Sequence, residues 1–478
     1  MSIFLDREQE LGVLRSRFHG EHAEFIILYG RRRIGKSALI EHFLNSVRGI
    51  RLLAREESRH LQLKKFSSEC AAFFSDEFLN KTTFTDWDSF FLYLSGRDND
   101  RMVIAIDEFP YLVREDPALP SIIQEYWDTR LKDSNIFLLL SGSSISMMEE
   151  LTMQHTSPLY GRRTGQILLQ GFRFIDVLDY IGDMIRAVEF YAVFGGTPAY
   201  VVSIEKDHGI FKNIAEKILA SDAPLYKDVE FVLRMELNEP RYYFSILLSI
   251  ATGNNRIGLI MNDTGLNKGI ITKYLSILID LRLVRRRVPV TDTSTGRKGL
   301  YFLSDNLFMF WFRFVSPHVE RLERGEGDLV LEQNIAPLFS QYVGKHFESA
   351  VEDLFIEFNR AGLFPFTFER IGGWWDREQE IDLIALNEPE HAALFCECKW
   401  QDRVDACRVL SRLREKAAGV PWHTGDRTEY FSVVARSFSK RPPEGEDHVI
   451  CLDADDLTTW HRRCRKNAGQ DPVDTSGR

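Results

Sequence analysis

The sequence predicts an α/β fold: a P-loop core followed by further α and α/β domains. Three observations predict it. An apolar run, FIILY (residues 25–29), leads straight into the loop GRRRIGKS and then into a helix-forming stretch, SALIEHFLNSV. A second apolar run, MVIAI (102–106), ends in Asp107 and Glu108. A third, IFLLL (136–140), ends in the polar residues Ser141 and Ser143. Runs with no polar alternation belong to strands buried on both faces, as in parallel sheets, and such sheets bind ligands at the C-terminal ends of their strands.

The first of these is the Gly-x4-Gly-Lys-Ser pattern of a phosphate-binding loop. Residues Gly30, Arg31, Arg32, Arg33, Ile34, Gly35, Lys36, Ser37 and Ala38 form the predicted cradle. Backbone N–H groups in such a turn wrap the β-phosphate of a nucleotide. Lys36 reaches the β- and γ-phosphates, and the Ser37 hydroxyl is a ligand for Mg²⁺. Asp107 completes the Mg²⁺ shell, and Glu108 orients or deprotonates an attacking water. Ser141 and Ser143 either sense the γ-phosphate or simply lead the chain out of a strand. The segment SPLYGRRTG carries Arg162 and Arg163. Either arginine can neutralise charge on a transferring phosphoryl group, in cis or from a second subunit of a homo-oligomer, or the two can be a solvated pair.

At 478 residues the chain is too long for one core, and three or four domains are expected. The formal net charge of -10 excludes a generally basic surface, so any nucleic-acid contact has to come from local patches. The six cysteines lack zinc-site spacing and read as reduced thiols. MSIFLDREQEL has no signal-peptide core, and no apolar stretch reaches about 18 residues, so a cytoplasmic protein without a membrane span is expected.

The predicted core spans residues 1–171. Residues 172–235 read as a small helical lid, interrupted at Gly195, Gly196 and Pro198. Residues 236–318 change character: helices over YYFSILLSIATG and LNKGIITKYLSILIDLRLV are followed by a hairpin, RRRVPV and GLYFLS, turning at TSTG. Helix–turn–helix followed by a hairpin is a winged-helix pattern. Lys268 and Lys273 on the second helix, with Arg285, Arg286, Arg287, Arg297 and Lys298 on the hairpin, suit the phosphates of duplex DNA. The same module can dock a protein partner instead. The aromatic run FMFWFRFV (308–315) reads as an interdomain seam, because its rings are consecutive instead of spaced along one face. The acidic segment 319–333 reads as a linker leading into a helix.

Residues 334–467 carry a second constellation, and residues 468–478 read as a disordered tail. Glu348 lies on an amphipathic helix, Asp382 in the extended stretch EQEIDLIAL, and Glu397 and Lys399 on the strand AALFCECKW. Strand alternation points Glu397 and Lys399 one way and Cys396 and Cys398 the other. Glu348, Asp382 and Glu397 can hold Mg²⁺ or Mn²⁺, and Lys399 can stabilise charge on a phosphate. This pattern predicts a nuclease-type fold, which either cleaves DNA or persists as a binding module.

Taken together, FLDREQEL, GRRRIGKS, VIAIDEFPYL, LLLSGSS, SPLYGRR and GGTPAY, with EIDLIA and FCECKW, resemble the archaeal-type ATPases of the AAA-related class that end in a restriction-endonuclease-like domain. The resemblance covers nearly the whole chain. It implies that Gly30, Gly35, Lys36 and Ser37 are the Walker A residues, and that Asp107 and Glu108 are the Walker B pair. It implies a sensor role for Ser141 or Ser143 and puts Arg162 and Arg163 in the family's SPLYGRR run. The C-terminal residues Asp382, Glu397 and Lys399 resemble the PD-(D/E)xK signature, with Glu348 as its helix acid; Ile381 stands where the signature has proline. The implied activity is an ATPase using ATP and Mg²⁺, with a metal-dependent endodeoxyribonuclease at the C-terminus.

Overall fold

A computed structural model describes residues 7–97, 100–237, 240–292, 298–443 and 445–467. Residues 4–6 of FLDREQEL, the TSTG turn with Arg297, and the tail 468–478 lie outside the described residues. The chain forms two compact units. The first runs to Gly171 and also takes in Thr197–Ala199; the second is Phe172–Gly196 and the chain from Tyr200 onward.

The first unit is organised by a parallel sheet of β1 (Glu24–Tyr29), β2 (Gly49–Leu53), β3 (Met102–Asp107), β4 (Ile136–Gly142) and β5 (Gly165–Leu168), in the order β2-β3-β4-β1-β5. The apolar runs make both faces of this sheet. Phe25, Ile27 and Tyr29 pack in one layer with Ile104, Ile106, Leu138 and Leu140. Ile26 and Leu28 pack in the other with Val103, Ala105, Phe137 and Leu139. A strand that feeds two hydrophobic layers has no polar face, which is why β1, β3 and β4 read as unbroken apolar runs. Strands β1, β3 and β4 are adjacent, so the loop after β1, the acids after β3 and the serines at the end of β4 emerge at one edge.

The second unit opens with the helices Phe174–Ile181 and Met184–Phe194. The Asp183 side chain accepts from the N–H of Arg186 at 2.8 Å and starts the second of them. Further along, the helices Arg241–Ala251, Ile257–Thr264 and Lys268–Asp280 precede an antiparallel hairpin of β6 (Val284–Arg287) and β7 (Leu300–Leu303). Asn267 caps the third helix by accepting from the N–H of Ile270 at 3.0 Å.

The aromatic run is the helix Asn306–Phe310 continuing as a π-helix, Trp311–Val315. Phe308, Phe310, Trp311, Phe312 and Phe314 are buried within this unit. The Trp311 indole donates to the Tyr226 carbonyl at 2.7 Å. The acidic segment that follows is also helical, as Val319–Glu323, Gly327–Val330 and Leu331–Ile335, and runs into the 25-residue helix Ala336–Arg360. Pro337 sits in the first turn of that helix, where a missing N–H costs nothing.

A second sheet follows, of β8 (Arg370–Trp375), β9 (Glu380–Asn387), β10 (Ala392–Lys399), β12 (Thr428–Ala435) and β14 (Val449–Leu452). Its order is β14-β12-β10-β9-β8. Strands β8, β9 and β10 are antiparallel neighbours, whereas β10, β12 and β14 run parallel. The helix Ala406–Ala418 makes the connection from β10 to β12, as a parallel pair requires. Two short strands, β11 (Val404–Asp405) and β13 (Phe438–Lys440), form a separate ribbon. In the β9–β10 ladder Cys396 faces Leu383. One step further along an antiparallel register brings Asp382 opposite Glu397.

Candidate functional site

The loop after β1 takes its shape from two glycines. A Cβ on Gly30 would come within 2.4 Å of the Leu169 carbonyl oxygen, and Gly35 has a φ of +90°, where side chains are strained. The helix Lys36–Leu44 starts at once behind them. Lys36 is buried, and its Nζ donates to the carbonyls of Gly30 at 2.9 Å and Arg31 at 3.0 Å. The ammonium is thus held in the mouth of its own loop. Arg32 donates to the Tyr111 hydroxyl at 2.9 Å.

Ser37 Oγ donates to Asp107 Oδ2 at 2.7 Å. A hydroxyl from the loop and a fully buried carboxylate from β3 therefore meet. These are the hard oxygen donors Mg²⁺ takes, and the pair fits that ion. Glu108 follows with φ 58° and ψ 40°, a left-handed backbone that costs a non-glycine residue on the order of 1–3 kcal/mol. That turn swings its carboxylate to β4: Glu108 Oε2 accepts from Ser143 Oγ at 2.8 Å and from the Ser143 N–H at 3.3 Å. Ser141 is fully buried, and its Oγ has no hydrogen-bond partner among the described residues. Chemically the edge offers a cationic phosphate cradle, a cation-binding pair and an oriented carboxylate. With a nucleotide seated, Mg²⁺ would supply charge to its phosphates, and Glu108 would align a water.

Two further findings concern arginines. Arg51, in the middle of β2, donates through Nε and Nη2 to the same Asp107 Oδ2, at 3.0 and 2.8 Å. It also pairs with Glu41. The sequence reading passed over it. The available signal is a charge inside the apolar run GIRLL, which needs a partner when half-buried. Arg162 is chelated by Asp128, through Nε at 3.0 Å and Nη2 at 2.7 Å, and Arg163 donates to Gln166 and to the Thr152 carbonyl. Both have local partners in the first unit.

The second unit gathers Glu348, Asp382, Glu397 and Lys399. Asp382 Oδ2 accepts from the Cys398 N–H at 2.8 Å and lies 3.6 Å from Lys399 Nζ. Lys399 donates to Glu397 Oε2 at 2.5 Å, and Lys416, from the helix Ala406–Ala418, donates to the other Glu397 oxygen. Lys416 was not singled out in the sequence, since it lies on a different element from the acid it meets. Burial, then the charges of Asp382 and Glu380, push the Glu348 carboxyl up to about 8. Burial and Glu397 raise Asp382 to about 6. Burial alone would raise Glu397 too, but Lys399 and Lys416 hold it below the usual carboxylate range. Burial opposes the charge of Lys399, yet Asp382 and Glu397 hold its pKa above that of an ordinary lysine. Among the described residues no three His, Cys, Asp or Glu side chains converge as a metal cage. Lysines, instead of a third carboxylate, complete the cluster.

Of the helix and hairpin cations, Arg287 donates to Glu352 at 2.9 Å, while Lys268, Lys273, Arg285, Arg286 and Lys298 are exposed. No helix among the described residues is long and apolar enough to cross a membrane.

Residues 4–204 match the family described as an ATPase domain predominantly from Archaea. Residues 311–411 match one described as archaeal and bacterial proteins of unknown function. The chain is similar over 94% of its length to an uncharacterized protein of Methanocaldococcus jannaschii, at 33% identity across 457 residues and 98% of that relative. A 44-residue stretch, 9% of the chain, is 46% identical to an uncharacterized ATP-binding protein of the same organism and covers 75% of it. Among solved structures, a Walker-type ATPase of Pyrococcus abyssi aligns at 21% identity and a TM-score of 0.48, over 65% of this chain and 96% of that one.

Proposed function

The chain belongs to the archaeal ATPase family, and from that premise we propose that its slow, Mg²⁺-dependent ATP hydrolysis drives work on DNA, with the second unit cleaving a phosphodiester. ATP binding and ATPase activity follow from the family. Walker-type roles for Gly30, Gly35, Lys36, Ser37, Asp107 and Glu108 are supported by the Ser37–Asp107 and Glu108–Ser143 contacts.

The observation that carries the DNA reading is the convergence of Asp382, Glu397 and Lys399, with Glu348 in their field, on one stretch of the second sheet. Asp382, raised by burial and by the charge of Glu397 beside it, and Glu397 would form a cation-seeking pair. Held there, a divalent ion would make its water more acidic and draw charge off a phosphate. Lys399 would steady the negative charge as a water oxygen bonds to phosphorus and the ester oxygen departs, taking a proton from solvent, with Glu348 a further oxygen donor for the ion. The helices 241–280 and the β6–β7 hairpin would act as a winged helix whose exposed Lys268 and Lys273 hold duplex phosphates.

A second reading has its own support. Both Glu397 oxygens are taken by lysines, and a three-acid cage is absent among the described residues. On that reading the C-terminal region does not cleave, and ATP switches a docking protein. Supercoiled and linear DNA, incubated with Mg²⁺ or Mn²⁺ with and without ATP, separates the two. Cleavage by wild type that is lost in Asp382→Ala and Lys399→Ala supports catalysis. Intact DNA under every condition leaves the switch. A homo-oligomer in which Arg162 or Arg163 reaches a neighbouring nucleotide would show turnover per subunit rising with protein concentration.

A further inference from the structure

The second unit contains a cavity of about 430 Å³ where the β6–β7 hairpin meets the β8–β9 turn. It is of ordinary ligand-pocket size, about 300–1,000 Å³. Its walls combine four cations, Arg256, Arg286, Lys298 and Arg377, with the rings of Tyr301 and Trp375. Asp376 is the single acid in the lining, and its Oδ1 is occupied by the N–H groups of Glu378 at 2.7 Å and Gln379 at 2.8 Å. Arg256, Lys298 and Arg377 make no ion pair among the described residues, and Arg256 and Arg377 are exposed. Four cations against one acid leave the lining net positive, and the Glu378 and Gln379 N–H groups, then Lys298, hold the Asp376 carboxyl below its usual range.

The ring is held in place as well. Trp375 Nε1 donates to the Lys298 carbonyl at 3.0 Å, which ties the indole to the hairpin that brings the cations. Next to it, Gly299 leaves room for the Arg286 guanidinium, which lies 2.3 Å from where a Cβ would stand. A half-buried indole with its N–H already satisfied, bordered by more cations than acids, suits a ligand with one flat face and one phosphate.

We propose that this cavity takes an unpaired nucleotide of a DNA strand, with its base on Trp375 and Tyr301 and its phosphate among Arg256, Lys298 and Arg377. A paired base is stacked inside its duplex and offers no free face; an unpaired one stacks on an aromatic with about 1–3 kcal/mol. Trp375 faces Glu380 across the β8–β9 ladder, and Asp382 lies two residues further along β9, about 7 Å away along the strand. A strand anchored at Trp375 would thus pass the acidic site. The inference deepens the DNA reading of that site by naming the substrate form, a single-stranded stretch or frayed end, and it is read by binding alone, so either can fail without the other.

The test is fluorescence anisotropy with full-length protein in EDTA, using fluorescein-labelled dodecathymidylate, a blunt duplex of the same length, and dTMP as competitor. The single strand is expected to bind about tenfold tighter than the duplex. Trp375→Leu should lose that margin, leaving duplex affinity unchanged. Arg377→Glu, at an exposed position, should weaken binding and lower the salt slope by about one. Equal affinity for single strand and blunt duplex, or wild-type binding by both variants, overturns the proposal. Displacement of the oligomer by dTMP at an equal concentration would identify a free nucleotide as the ligand and overturn the strand reading.

Discussion

Arg51 and Ser37 meet on one oxygen of Asp107: the guanidinium Nη2 lies 2.8 Å and the serine hydroxyl 2.7 Å from Oδ2. Asp107 is fully buried, and the arginine balances its charge. A divalent cation entering that place competes with the arginine for the same lone pairs. Arg51→Ala should therefore destabilise the nucleotide-free first unit by about 3 kcal/mol, the cost of leaving a buried carboxylate unpaired. Mg²⁺ and ATP should recover more melting temperature in the variant than in wild type. Equal ligand-induced shifts in a thermal melt would show that Arg51 and the cation do not compete.

The Glu108–Ser143 contact sets up a second expectation. Lys36→Ala should weaken ATP binding about tenfold or more, since a charge-assisted contact to phosphate is lost. Glu108→Gln should still bind ATP but release phosphate about 100-fold more slowly or worse. Ser143→Ala should turn over at a rate between wild type and Glu108→Gln, because the serine hydroxyl donates to the Glu108 carboxylate. Steady-state phosphate release and equilibrium nucleotide titration, run side by side, separate these effects.

The acidic site predicts an unusual pH response. Glu348 and Asp382 have folded-state pKa values of about 8 and about 6, above the usual carboxylate range. A carboxyl whose pKa is raised on folding binds its proton more tightly in the folded chain. Its contribution is full below the unfolded pKa and is lost as pH rises through the folded value. Glu397, shifted down, contributes in the opposite sense and loses its contribution as pH falls through its folded value. Stability of the second unit should accordingly decline from about pH 4, the unfolded carboxylate range, to about pH 8, with Glu348 the source above about pH 6. Glu348→Gln should flatten the upper part of that decline in melting curves taken across the range. A variant whose slope matches wild type would remove Glu348 as its source.

Gly196 allows a test of packing in the second unit. A Cβ there would lie 1.9 Å from the Phe172 carbonyl oxygen, and the Phe172 N–H donates to the Gly196 carbonyl at 2.7 Å. Gly196→Ala should cost about 3 kcal/mol, read as a lowered denaturation midpoint. Gly182→Ala, with open space around its Cβ but a φ of +83°, should cost only about 1 kcal/mol.

What could be read from the sequence is what is local. GRRRIGKS needs only eight consecutive residues and an apolar strand before it, so its shape is legible. Glu397 and Lys399 follow from strand alternation, and Asp382 from an antiparallel register with β10. Arg51 was not legible, because its meeting with Asp107 depends on β2 lying beside β3, a pairing 56 residues apart in the chain. Lys416 was missed for the same reason: the helix after β10 must pack back on the sheet before its last turn reaches Glu397. Consecutive aromatics at 308–315 suggest an interdomain seam, whereas the three-dimensional arrangement ties Trp311 to the Tyr226 carbonyl within the second unit. The cavity at Trp375 needs the hairpin and the second sheet together, and neither segment alone announces it.

The three residues Thr197–Ala199 belong to the first unit, although the chain on either side of them belongs to the second. The Ala199 N–H donates to the Arg33 carbonyl at 3.3 Å, and Pro198 lies within contact distance of the Gly35 Cβ position. The first unit is therefore not one continuous stretch of chain. A chain cut after Gly171 would lose these three residues and the Pro198 contact beside the phosphate loop.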